Sequence, residues 1–298
     1  VSLFRDDMPL PTFRPELIES LPFPTTPDTI LPPVAKPTRV SLDRQGEAYV
    51  FTIDGDERIV GRYVPRTGTL SDLSIQLDNR EPYVPCADAG PAFGLGGEER
   101  NPADPFVTRQ LLAVSARDGA VTTRWRVGIG GDWADYSLTL RAKGKSFIAD
   151  WSSECTKATA FRLGHATGLK APRLVRIPYM AIYGEGPAVL LDDGVFTLTL
   201  LDWYRTGCSA LYPSMGLGAA GEATMNGGSI YGPLTDGTRN PLRERQFISI
   251  SSTLDEVLPT IPNPPSDQAE VLRSHLYTHL GGTAPSRFDD WLAMWRQY

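Results

Sequence analysis

From Thr38 onward, short runs rich in Val, Ile, Thr, Tyr and Phe alternate with clusters of Gly, Asp and Asn. Such runs bounded by turn residues predict β-strands. The pattern gives thirteen of them: Arg39 to Asp43, Ala48 to Ile53, Arg58 to Val64, Leu70 to Leu77, Arg109 to Ala116, Val121 to Ile129 and Tyr136 to Ala142, then Ser146 to Ser152, Ala158 to Leu163, Arg173 to Tyr179, Ala188 to Leu191, Val195 to Asp202 and Gln246 to Ser251. Asp54-Gly55 predicts a two-residue hairpin, and Leu191-Asp-Asp-Gly194 predicts another turn. With scarcely a helical period between these runs, the body is expected to be all-β.

The two ends differ from this body. Residues 1–37 hold nine prolines together with Leu3, Phe4, Phe13, Leu17, Phe23 and Ile30. Proline disfavours helix, and this much apolar material is unsuited to a solvated linker, so an extended arm lying across the body is expected. Pro259-Thr-Ile-Pro-Asn-Pro-Pro265 then halts the sheet. Ser266 can cap a helix from Asp267 to Leu280, and Ser286 with Asp289 can form the capping box of a second. On that second helix Phe288, Leu292 and Trp295 make one apolar stripe, and Trp291, Met294 and Tyr298 make another. Two stripes call for a receiving surface, either the β body or a following domain. The expected organisation is an arm (1–37), a β domain (38–265) and a helical linker (266–298).

Composition narrows the functions. The 29 basic and 35 acidic side chains leave a net charge of −6, with no basic run longer than two, which argues against nucleic acid as a partner. Pro187 to Trp203, the longest apolar candidate, is interrupted by Asp192, Asp193 and Gly194, so no membrane helix is expected. The spacing of Cys86, Cys155 and Cys208 fits neither a disulfide framework nor a zinc site. No cofactor or metal is expected: Gly216-Leu-Gly-Ala-Ala-Gly221 lacks the strand and helix that a dinucleotide fingerprint needs, and His275 and His279 lack the glutamate of a zinc-protease helix. Gly207-Cys-Ser-Ala-Leu211 is no nucleophile elbow, and no catalytic residue stands out. His165 is either a hydrogen-bonded strand residue or an acid–base group.

The densest polar–aromatic cluster is Asp202-Trp203-Tyr204-Arg205, with Tyr179, Tyr183, Tyr212 and Tyr231 in neighbouring segments. Sugar rings stack on Trp and Tyr while Asp and Arg take hydroxyls, so these are candidate glycan contacts; packing within a sandwich core is the alternative. Two long stretches rich in Gly and Pro, Glu81 to Asp104 and Tyr212 to Asn240, are candidate functional loops.

Several motifs carry a family resemblance. Gly164 to Trp203, with Arg176-Ile-Pro-Tyr179 and Leu201-Asp-Trp203, together with Tyr231 to Arg245 and Ser249 to Pro265, resembles the galactose-mutarotase-like β-supersandwich that precedes the (β/α)8 barrel of large bacterial glycoside hydrolases. The resemblance implies a large antiparallel β-supersandwich with a Pro-rich arm and short C-terminal helices. It also implies a non-catalytic role bracing a downstream catalytic domain of the same chain, carbohydrate as a possible partner, and an extracellular or periplasmic setting. Stand-alone aldose epimerase and carbohydrate-binding module are the alternatives. For the epimerase, His165 with Glu185 or Glu244 are the candidate acid and base.

Overall fold

The computed structural model describes residues 28–177, 187–218 and 221–262. The chain divides into two compact units, Val1–Ile261 and Pro262–Tyr298, and the division falls within the proline stretch 259–265. The first 27 residues of the arm and the segments expected to form the two C-terminal helices lie outside the described residues.

The described residues form antiparallel sheets, and the fold is all-β. The strands are β1 (Arg39–Gln45), β2 (Ala48–Asp54), β3 (Arg58–Tyr63), β4 (Leu73–Leu77), β5 (Val84–Ala87), β6 (Gly90–Leu95) and β7 (Glu98–Arg100). Four long strands follow: β8 (Thr108–Arg117), β9 (Ala120–Ile129), β10 (Asp132–Lys143) and β11 (Ser146–Ser153). Next come β12 (Ala158–Arg162), β13 (His165–Thr167), β14 (Arg173–Arg176), β15 (Ala188–Asp192) and β16 (Val195–Leu201). The series closes with β17 (Ala210–Tyr212), β18 (Gly216–Leu217), β19 (Ala223–Thr224), β20 (Gly228–Ile230) and β21 (Leu242–Ser251).

An eight-stranded sheet, β14-β15-β16-β21-β11-β10-β9-β8, is the largest of the four sheets. Its alternation sets the layers: on β10, Ala134, Tyr136, Leu138 and Leu140 are buried while Asp135, Ser137, Thr139 and Arg141 face the other way. The buried face packs Trp125, Phe147 and Trp151 against Phe51, Ile53 and Tyr63 of the sheet β1-β2-β3-β4, and against Phe93 and Phe161 of the sheet β17-β20-β12-β6-β7. The opposite face is covered in part by the end of the arm. Ile30 is buried with Ile148 and Phe247, Asp28 pairs with Arg141 at 2.7 Å and with Lys143 at 2.6 Å, and the Thr260 amide donates to the Ile30 carbonyl.

Local expectations meet tertiary corrections at several points. The Asp193-Gly194 turn is a two-residue hairpin, with both residues at positive φ and Asp192 opposite Val195. The β2–β3 hairpin, expected to turn on two residues, instead pairs Asp54 with Arg58 across a three-residue loop. The reason lies outside the hairpin: the loop residues Asp56 and Glu57 reach the buried ammonium of Lys145 at 2.9 and 2.7 Å. The run Leu70 to Leu77 starts as a 3-10 turn, because the buried Asp72 carboxylate accepts from the amides of Arg66, Thr67 and Gly68 and folds that stretch back on itself. Both Gly/Pro-rich stretches contain strands, β5–β7 in one and β18–β20 in the other.

Candidate functional site

The segment after β16 turns sharply at Asp202. Its amide donates to the Arg245 carbonyl at 2.8 Å, its carbonyl accepts from the Arg205 amide at 2.9 Å, and its carboxylate accepts from the Tyr204 amide at 3.2 Å. Asp202 is 3% exposed. Burial raises its carboxyl to about 6, against the opposing pull of the Tyr204 amide and the Arg245 and Arg205 guanidinium groups. Asp202 therefore shapes the turn, and its carboxyl is directed to the backbone of the turn. Trp203 and Tyr204 lie with ring centroids 5.5 Å apart and pack on the cluster of Ile30, Ile148 and Phe247.

Trp203 also forms one wall of a cleft of about 220 Å³. Leu201, Leu163 and Pro187 continue that apolar lining, while Tyr212, half-exposed Leu211 and Asn226 form the remaining walls. Asn226 is pinned: its side-chain carbonyl accepts from the Ala188 amide at 2.8 Å, and its amide donates to the carbonyls of Ala188 and Thr199, each at 3.0 Å. It has φ of 41° and leads into Gly227 at 81°. The next two positions have no room for a side chain. A Cβ on Gly227 would sit 1.9 Å from the Tyr212 carbonyl oxygen, and one on Gly228 would sit 2.0 Å from that of Phe161. The glycines thus let β20 press against β12 and against the 212–214 segment, which shapes the cleft floor.

A second pocket of about 380 Å³ adjoins the first and is polar. Arg162, His165, Glu222, Asp88 and Thr224 line it, with Tyr212 again on its wall. Arg162 pairs with Glu99 at 2.8 Å, and the Asp88 carboxylate accepts from the Ser71 hydroxyl at 2.9 Å. The side chains of His165 and Glu222 have no hydrogen-bond partner among the described residues.

The other expected contacts are placed differently. Tyr231 is fully buried, and its hydroxyl donates to Glu244 at 2.8 Å, so it offers no face to a ligand and belongs to the core. Tyr204 and Arg205 are half-buried beside the Asp202 turn and do not line the cleft. Tyr179 and Tyr183 lie outside the described residues, as do Glu185, His275 and His279. His165 and Glu244 do not share a pocket. Glu244 sits in the core, where one carboxyl oxygen accepts from Ser229, Tyr231 and Thr206 at 2.6, 2.8 and 2.9 Å while the other has no partner among the described residues. Burial raises its carboxyl to about 7, opposed by those three hydroxyls.

Among the described residues no group of three or more His, Cys, Asp or Glu side chains is placed to hold a metal ion, and no helix is long and apolar enough to cross a membrane. All three cysteines are free thiols. Arg162, Asn226 and Glu222 were not legible as site residues. Only the Asn226-Gly-Gly228 triplet, read as a helix breaker, carried a signal, because tandem glycines also mark close backbone approach.

No family model matches the chain, and no curated protein does. Among solved structures the chain is similar to a Glycoside Hydrolase Family 97 enzyme from Pseudoalteromonas sp. strain K8, seen in two variant forms, one of them in complex with panose. The identity is 11% and the TM-score 0.37, over 68% of this chain and 35% of that one. The chain therefore spans about a third of the length of the enzyme it resembles.

Proposed function

We propose that this chain is a non-catalytic β-sandwich part of a multidomain carbohydrate-active enzyme, a glycoside hydrolase, which braces the catalytic domain and contacts glycan through the Trp203–Tyr212 cleft. The observation that carries the reading is the cleft itself: an indole and a phenol on apolar walls, with the pinned Asn226 amide beside them. Such a site suits a pyranose, whose C–H face stacks on aromatics. The motif resemblance of Gly164 to Trp203 and Tyr231 to Arg245 supports the same class. The engagement of Asp202 with its own turn and of Glu244 with core hydroxyls supports binding rather than bond cleavage at these carboxyls.

Calorimetric titration against a panel of neutral oligosaccharides tests this. Trp203→Ala is expected to weaken binding about fivefold, since an aromatic stack contributes on the order of 1 kcal/mol. Absence of heat for every glycan would leave only the bracing role.

A second reading, aldose epimerase, is favoured by His165 and Glu222 lining one pocket, as proton transfer at an anomeric centre needs an acid and a base that converge. Polarimetric measurement of anomer interconversion on common aldoses would show a rate that His165→Ala removes; a rate no higher than background discards this reading.

A further inference from the structure

The apolar cleft and the polar pocket are separated by very little. Leu163 lines the first and Gly164 the second; Gly228 the first and Gly227 the second; Pro213 the first and Ser214 the second. Three separate chain segments thus pass from one cavity to the other in a single peptide step, a Cα spacing of about 3.8 Å. Tyr212 lines both. The apolar cleft of about 220 Å³ is small for a ligand site by itself, for which roughly 300–1,000 Å³ is usual, while the polar pocket of about 380 Å³ and the two together fall inside that range.

We propose that the two cavities are one site divided by Tyr212, and that its ligand is an extended neutral oligosaccharide of at least two units. The inference rests on the carbohydrate reading above and adds the length and charge of the ligand. One unit stacks in the apolar cleft against Trp203. The next passes Tyr212 and places its hydroxyls among His165, Glu222 and Thr224. His165 and Glu222 suit this role because nothing else among the described residues occupies their polar atoms, and together they offer both donor and acceptor capacity. Charge argues for a neutral ligand: the two carboxylates of Asp88 and Glu222 face a single guanidinium, Arg162, which Glu99 already neutralises. A uronic acid or sugar phosphate would meet an excess of negative charge there.

Titration calorimetry with mono-, di- and trisaccharides of the gluco, galacto and manno series, and with the matching uronic-acid disaccharides, tests the proposal on the 298-residue chain. The expected result is at least a tenfold gain in affinity from a monosaccharide to its di- or trisaccharide, with the uronic-acid forms weaker. The double variant His165→Ala, Glu222→Gln should remove most of that gain, while Trp203→Ala weakens mono- and trisaccharide binding alike. Far-ultraviolet circular dichroism checks that the variants fold. If mono- and trisaccharide bind equally and Trp203→Ala still weakens both, the two-part site is overturned and the cleft reading survives. If no saccharide binds, both fail. Tighter binding of the uronic-acid forms overturns the neutral-ligand assignment.

Discussion

Lys145→Met is expected to destabilise the β domain by about 3–5 kcal/mol, a large fraction of the roughly 5–15 kcal/mol that holds a typical domain together. Lys145 is 1% exposed and meets three carboxylates: Asp56 at 2.9 Å, Glu57 at 2.7 Å and, closer still, Glu256. The Ser251 hydroxyl donates into the same cluster, at 2.9 Å from Glu57 and 2.8 Å from Glu256, and the Ala35 amide donates to Glu256 at 2.9 Å. One ammonium therefore ties together the β2–β3 loop, the start of β11, the end of β21 and the arm. Removing it leaves acidic groups buried without their counter-charge. Replacing Lys145 together with its two more buried partners, with Glu57→Gln and Glu256→Gln added to Lys145→Met, should recover much of the loss, because buried charges removed together cost less than a pair broken in half.

The pH dependence of that cluster has a definite sign. Burial raises the carboxyls of Glu57 and Glu256, but the hydrogen bonds from Lys145, Ser252 and Ser251 to Glu57, and from Lys145, the Ala35 amide and Ser251 to Glu256, together outweigh it and hold both below the usual carboxylate range; at Asp56 the hydrogen bond from Lys145 is the main cause of the same lowering. Their stabilisation is fully present above the unfolded values near 4 and is lost as the pH falls through the lower folded values. Burial lowers Lys145 and the three carboxylates more than reverse this, so its own contribution is lost only at strongly alkaline pH. Urea denaturation at pH 7 and pH 4 should therefore show a smaller gap between Lys145→Met and the parent chain at acid pH. An equal gap at both would contradict the assignment.

Glu244→Gln is expected to act in the opposite direction, stabilising the fold as the pH rises. Burial raises the Glu244 carboxyl to about 7, against an ordinary value of 4.5. The folded state therefore holds this proton more tightly than the unfolded chain. The associated stability is complete below about 4.5 and disappears as the pH climbs through 7, a swing on the order of 3 kcal/mol. Glutamine keeps an acceptor for Ser229, Tyr231 and Thr206 and cannot ionise. The stability of Glu244→Gln relative to the parent should increase between pH 5 and pH 8, and denaturant midpoints across that range measure it. A difference independent of pH would mean that Glu244 is not a proton-holding group.

Elements with strong local patterns were legible in the sequence. The alternation of β10, the long β8–β9–β10–β11 series and the Asp193-Gly194 hairpin follow from side-chain period and turn chemistry alone. The strands β5–β7 and β17–β20 were not, since each is two to six residues long, and several are interrupted by Gly or Pro. Their pairing is supplied by neighbours distant in sequence, as when Gly228 presses on Phe161. Strand β21 was read only from Gln246, because Arg243-Glu-Arg245 looks like a solvated turn; in the fold Arg243 and Arg245 pair with Glu154 and Asp150 on one face while Glu244 enters the core.

The sequence by itself determined an all-β body, the negative charge and a concentration of Tyr and Trp between positions 179 and 231. Which of those aromatics face a ligand was decided only by tertiary structure. Tyr212 and Tyr231 are equivalent as letters, yet one walls two cavities while the other is sealed in the core with its hydroxyl on Glu244. Local periodicity fixes which way a side chain points from its own strand. Whether that direction meets another sheet or an opening depends on the strands that pair and pack around it, and those contacts are made by residues far away along the chain.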